Sequence, residues 1–107
     1  MPDLLSMEAL RALPDDIMAV EGDTSIYFLW DGDELLYIGA SNHSAERIGR
    51  HIRERNQRAA RGGLPVPFSR YTFLEVDQRE LWWLENQYLR QYATAYNEIG
   101  PRKRRYY

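Results

Sequence analysis

Apolar residues fall into six runs, divided by polar or Gly- and Pro-containing breaks, and the spacing within each run predicts its local structure. Residues 4–13, Leu-Leu-Ser-Met-Glu-Ala-Leu-Arg-Ala-Leu, predict a short helix capped at Ser6 and stopped by Pro14. Ser25-Ile-Tyr-Phe-Leu-Trp30, rich in aromatic and branched residues, predicts a strand. Asp31-Gly32-Asp33 predicts a hairpin turn, because glycine accepts the positive φ such turns require, and Glu34-Leu-Leu-Tyr-Ile-Gly39 returns as the antiparallel partner. Ala40 to Ser44 reads as a polar loop, with Ser41 or Ser44 as cap for a helix from about Ala45 to about Arg61. Ile48, Ile52 and Ala59 share one face of that helix, and Gly62-Gly63 ends it. Leu64-Pro-Val-Pro67 is a stiff connector. Arg70 to Val76 predicts a third strand, and Gln78 to Tyr92 a helix with Leu81, Leu84, Tyr88 and Tyr92 on one stripe.

The fold class expected from this order is α+β: a small three-stranded antiparallel sheet flanked by helices, β-β-α-β-α after a short N-terminal helix. A chain of 107 residues has room for one domain. Its expected layout is an N-terminal extension over 1–23, a core over 24–99 and a basic tail over 100–107.

Composition narrows the function. With no cysteine, a disulfide framework, a thiolate metal site and a catalytic thiol are excluded. No apolar run approaches the length of a membrane span, and the start Met-Pro-Asp lacks the basic opening of a signal peptide, so a cytoplasmic protein is expected. The net charge of -2 by itself argues against a nucleic-acid partner, but its distribution argues the other way. Arg47 to Arg61 holds six arginines against one glutamate, and Arg102-Lys103-Arg104-Arg105 adds four cations. Salt screens charges beyond about 10 Å, so a phosphate backbone responds to such local patches. A solvated arginine-rich helix is the plainer account of the same pattern.

Four features can carry chemistry. Tyr27 and Tyr37 lie on the two strands of one hairpin, and only the register decides whether their rings share a side. Arg47, His51, Glu54 and Arg58 recur at spacings that put them on one helix face, read as opposite Ile48 and Ile52. A guanidinium and an imidazole one turn apart suit a phosphate, whereas weak Glu–Arg pairs on an exposed helix are the alternative. Glu85 sits within or beside the apolar stripe of the last helix, where a carboxylate needs a cation or a metal nearby, or an escape to water. Asn97, after Tyr96, either returns a polar amide to the same region or serves a turn.

Taken together, these residues resemble the GIY-YIG nucleases. Ser25-Ile26-Tyr27 and Tyr37-Ile38-Gly39 are similar to the paired triplets that name the family, with Ser25 where the first glycine stands. Arg47, then His51 one turn later, then Glu85, and Tyr96-Asn97 follow in the family's order. The family's proline before the final asparagine is replaced near Thr94. The likeness spans about residues 22–98. It implies phosphodiester hydrolysis in DNA with one divalent ion, Mg²⁺ or Mn²⁺, held by Glu85. Arg47 would stabilise charge on the phosphate, Tyr27 and Tyr37 would line the site with one of them orienting or activating water, His51 would move a proton or bind phosphate, and Asn97 would support the site. Arg50, Arg58, Arg61, Lys103 and Arg104 are the expected nucleic-acid contacts. RNA stays open as a substrate, and a homodimer or a specificity-giving protein is the expected partner. Two rival expectations stand beside this one: a binding module of the same fold without catalysis, and a protein-interaction domain built on Trp82, Trp83 and Tyr106-Tyr107.

Overall fold

The computed structural model describes residues 4–15, 24–58 and 65–97. Its elements are α1 (Met7–Arg11), β1 (Ser25–Asp31), β2 (Glu34–Ser41), α2 (Ser44–Gln57), β3 (Arg70–Glu75), a 3₁₀ turn (Gln78–Glu80) and α3 (Leu81–Gln91). The sheet has the order β2-β1-β3, antiparallel throughout, so the α+β class and the element order match the expectation.

β1 is buried from Ser25 to Trp30 because both of its faces are covered. Strand alternation sends Ile26, Phe28 and Trp30 to one face, where Leu10 of α1 and Leu81 and Tyr88 of α3 close the core. Tyr27 and Leu29 point to the other, where they meet Ile48 of α2 together with Val66 and Phe68. Asp31 pairs with Glu34 around Gly32, whose φ of +61° at the first central position is that of a type II′ hairpin turn. Directly after it the register shifts: Leu29 opposes Tyr37 while Trp30 opposes Leu35, leaving Leu36 as an extra residue. This bulge puts Leu36 beside Tyr37 on the α2 face, while Leu35 stays with the α3 core.

Both sheet edges are covered. On the β3 side, the Phe73 amide donates to Pro14 O at 2.9 Å. Tyr88 Oη accepts from Leu5 N at 3.0 Å and Tyr92 Oη donates to Leu5 O at 2.7 Å, which ties the start of the chain to α3. Residues 4–15 of the N-terminal extension thus complete the core rather than decorate it. On the β2 side, Tyr96 N donates to Leu36 O at 3.3 Å.

Several boundaries differ from those expected. α1 is five residues long, with Ser6 capping it as read, its side chain accepting from Ala9 N. α2 stops at Gln57, not Arg61, because Arg58 takes the left-handed conformation (φ 57°) that terminates helices. Ala59, Arg61 and Gly62-Gly63 lie outside the described residues. Neither Ser41 nor Ser44 caps α2, whose N-cap position is His43. Ser44 Oγ is instead within 2.6 Å of Ser25 Oγ, binding the start of α2 to the start of β1. The last helix begins as a 3₁₀ turn, with Asp77 Oδ1 accepting from Arg79 N at 2.9 Å.

Candidate active site on the β1–β2 face

The register resolves the tyrosine pair. Tyr27 opposes Gly39 and Leu29 opposes Tyr37, so Tyr27 and Tyr37 are diagonal neighbours on the α2 face. Their rings stack with centroids 6.1 Å apart and planes 25° from parallel. Tyr27 is fully buried, and its ring lies flat over Gly39. A Cβ at that position would overlap Cζ and Oη of Tyr27 and stand 2.6 Å from Cε1. Gly39 is therefore the floor on which the site tyrosine rests, a role the order of polar residues gave no hint of.

α2 supplies the opposite wall. Ile48 anchors the helix in the core, and His51 leans in next to it. The expectation that His51 faces away from Ile48 and Ile52 is corrected: three residues advance 300° around a helix, so His51 is Ile48's neighbour on the inward face. Its Nε2 is 3.1 Å from Tyr27 Oη, and its ring packs edge-on to Tyr37 (5.0 Å) and Phe68 (6.5 Å). Arg58 has left the helix and does not share that face. Arg55, counted among the basic residues, is spent internally, lying 4.6 Å over the Phe68 ring and donating to Phe68 O at 3.0 Å.

The electrostatics of this pocket are asymmetric. Burial, reinforced by the Arg47 and Arg50 cations, lowers the His51 pKa to about 4, so the imidazole is neutral at physiological pH. Burial also holds Tyr27 well above the ordinary tyrosine range, helped by Tyr37 and by the negative charge of Glu85, with Arg47 pulling the other way. The pair is thus a neutral phenol against a neutral imidazole, and which atom donates follows from the ring tautomer. The fields of both Arg47 and Glu85 converge on Tyr27.

Glu85 lies one turn after Leu81 and one turn before Tyr88, on the inward stripe of α3, and is 2% exposed. It does not sit at a margin that reaches bulk water. α3 packs along β2 and brings this carboxylate toward the tyrosine from the far side of the sheet. Among the described residues no three His, Asp or Glu side chains cluster as a protein-built metal cage. One hard carboxylate is nevertheless a donor set that suits Mg²⁺, which binds through one or two carboxylates, water and substrate phosphate oxygens.

Asn97 does not enter this pocket. Its Oδ1 accepts from Ile38 N at 2.7 Å and its Nδ2 donates to Ile38 O at 2.8 Å, the pattern of one more rung on the open edge of β2. Thr94 Oγ1 donates to the same Oδ1. The hydroxyl that stands near the expected proline thus stiffens this turn by hydrogen bonding. Asn97 clamps the residue between Tyr37 and Gly39, so it positions the tyrosine strand through its backbone. Ser25 needs no glycine-like backbone either: the described residues with positive φ are Gly32 and Arg58.

Along the outer side of α2, Arg47, Arg50 and Arg53 line a groove of about 280 Å³ with Glu46. Arg61, Lys103 and Arg104 lie outside the described residues, as do Tyr106 and Tyr107. On α3, Trp82 packs against the core and Trp83 is 43% exposed. No helix among the described residues is long and apolar enough to cross a membrane.

A tyrosine pair on a three-stranded sheet, faced by an Arg and a His one turn apart and backed by a buried glutamate, defines a site for acting on a phosphate ester. The family model of the GIY-YIG catalytic domain matches residues 24–97, and the chain belongs to that family, a family of generally metal-dependent nucleases. Comparison with curated proteins and with solved structures returns no match.

Proposed function

We propose that this protein is a metal-dependent endonuclease that hydrolyses phosphodiester bonds of DNA. The observation that carries the reading is the Tyr27–His51 contact at 3.1 Å, set in a buried pocket on which Arg47 and Glu85 converge. Attack of water on a phosphodiester needs a proton acceptor, a fixed positive charge for the phosphoryl oxygens and a way to hold the leaving group.

His51 supplies the acceptor. With its pKa near 4 it carries a free lone pair at neutral pH, which favours proton transfer over ion pairing with phosphate. Tyr27 is too weak an acid to stand as a free phenolate, so it acts as a relay. As the water oxygen closes on phosphorus, its proton passes to Tyr27 Oη and the phenol proton passes to His51 Nε2. The bond from phosphorus to the leaving sugar oxygen breaks, and that oxygen takes up a proton, from His51 or solvent. Arg47 donates to the non-bridging oxygens, whose charge grows in the transition state. Tyr37 and Phe68 hold the imidazole and keep water off its faces. Glu85 would hold Mg²⁺ or Mn²⁺, which supplies Lewis-acid polarisation of the phosphoryl group when bound. One such site cuts one strand, so a double-strand break calls for two protomers or two visits.

The test is nicking of supercoiled plasmid with Mg²⁺ or Mn²⁺, beside an EDTA control and the near-isosteric Glu85→Gln protein. Metal-dependent nicking by the wild type, lost with Glu85→Gln while the fold persists, is the expected result. Failure of the wild type on plasmid, branched and single-stranded DNA alike would leave the binding-module reading in its place.

A further inference from the structure

The groove on the outer side of α2 is not used by the chemistry above, and its arrangement is specific. Arg47, Arg50 and Arg53 follow one another at three-residue steps, each rising about 4.5 Å along the helix axis. Arg47 is half-buried beside the tyrosine pocket, whereas Glu46, Arg50 and Arg53 are exposed. Gly49 leaves the helix surface between them bare. An added Cβ there would meet only Arg53 Nη1, at 3.6 Å, so the Arg53 guanidinium folds back toward the site end of the helix. The described residues give neither Arg50 nor Arg53 an ion pair, in contrast to Arg55, which is committed to Phe68.

From this geometry we propose that Arg50 and Arg53 form a second phosphate subsite. It receives the backbone phosphate next to the one held at Arg47, so the cut strand runs along α2. The inference rests on the nuclease reading for its ligand. Successive phosphates of a strand advance about 3.4 Å along a duplex axis, a step that adjacent arginines at about 4.5 Å spacing can follow with their long side chains. Planar guanidinium forks suit phosphate oxygens better than ammonium groups would. Glu46 faces the same groove and opposes the incoming charge, which makes it a brake on affinity. Its removal therefore has the opposite sign to removal of the arginines.

The experiment is fluorescence anisotropy of a labelled DNA duplex titrated with the full chain in EDTA, at salt from about 50 to 200 mM, with plasmid nicking read on the same preparations. Arg50→Ala/Arg53→Ala should raise Kd about tenfold or more. It should also flatten the slope of log Kd against log salt by about 1.8, since each phosphate contact accounts for about 0.9. Its nicking defect should fall mainly on KM. Glu46→Gln should bind about threefold more tightly. A double variant that keeps the wild-type Kd and salt slope, in a preparation whose wild type nicks, overturns the subsite and leaves the nuclease standing. Loss of binding and slope in a protein that never nicks supports the subsite and removes the nuclease.

Discussion

Replacing Gly39 with alanine adds one methyl group at the point where the sheet and the proposed chemistry meet. The new Cβ would overlap the hydroxyl end of the Tyr27 ring and stand 2.6 Å from Cε1. Tyr27 is fully buried, stacked on Tyr37 and in contact with His51, so the ring has nowhere to swing without breaking one of these. Overpacking of this kind costs about 1–3 kcal/mol. For a domain of this size that lowers Tm by about 4–15 °C. The effect on nicking is larger, because displacing a reacting group by about 1 Å costs on the order of 100-fold in rate. Thermal unfolding and plasmid nicking of Gly39→Ala read the two losses. Tyr27→Phe separates them: nicking is lost, while stability falls by only about 0.5–1.5 kcal/mol with the hydroxyl's hydrogen bond. In a Tyr27→Ala background the added methyl has nothing to strike, so Gly39→Ala becomes near-neutral and the double-mutant cycle shows strong coupling. Gly39→Ala with wild-type Tm and wild-type rate would refute the close approach itself.

Three further outcomes follow from the same geometry. His51 is held neutral, with a pKa near 4 against an ordinary 6.5, so the unfolded chain takes up its proton first as pH falls. Stability from this group is complete above about pH 6.5 and lost progressively toward pH 4, a change of about 3 kcal/mol, and Tm in His51→Gln should fall less steeply over that window. The nicking rate should likewise hold below pH 6.5 and drop only near the lowered pKa. A rate that halves at pH 6.5 would count against His51 as the acceptor. Asn97→Ala removes both bonds to Ile38 and should cost about 1–3 kcal/mol, with amide exchange at Ile38 accelerated; an unchanged Ile38 exchange rate would show that the clamp is not formed in solution. Leu10→Ala opens a cavity against a core residue that is fully buried, so urea unfolding should register a loss of about 2–5 kcal/mol. A loss under about 1 kcal/mol would mean the N-terminal segment is not part of the core.

Much of this was legible in the order of residues, for reasons tied to particular elements. The hairpin was readable because Asp31-Gly32-Asp33 leaves the backbone one good choice, and Glu85 because a carboxylate on an apolar stripe contradicts its surroundings. What escaped depends on information that is not local. The end of α2 turned on Arg58 adopting a left-handed conformation that a non-glycine residue rarely signals. The side to which Tyr37 points turned on a bulge at Leu36, because one extra residue flips every side chain beyond it. His51 was placed on the solvent face by grouping it with arginines, although its three-residue spacing from Ile48 already pointed inward. Asn97 was read as a residue of the site, when it acts on the strand that carries the site.

The same arginines that depress the His51 pKa are those that a phosphodiester would neutralise, and this links binding to basicity. Burial is the largest cause of the low value, and Arg47 and Arg50 add to it. A phosphate seated against Arg47, with its neighbour on Arg50, cancels both cationic fields and adds a negative field of its own. The imidazole then gains proton affinity at the moment a proton must leave the water, and it loses that affinity when the product departs. Without substrate the pocket is a poor base and a poor acid, with Tyr27 and His51 both neutral. The cluster of cations beside a buried histidine, an odd environment for a base in the free protein, is therefore consistent with a base whose strength is set by its substrate.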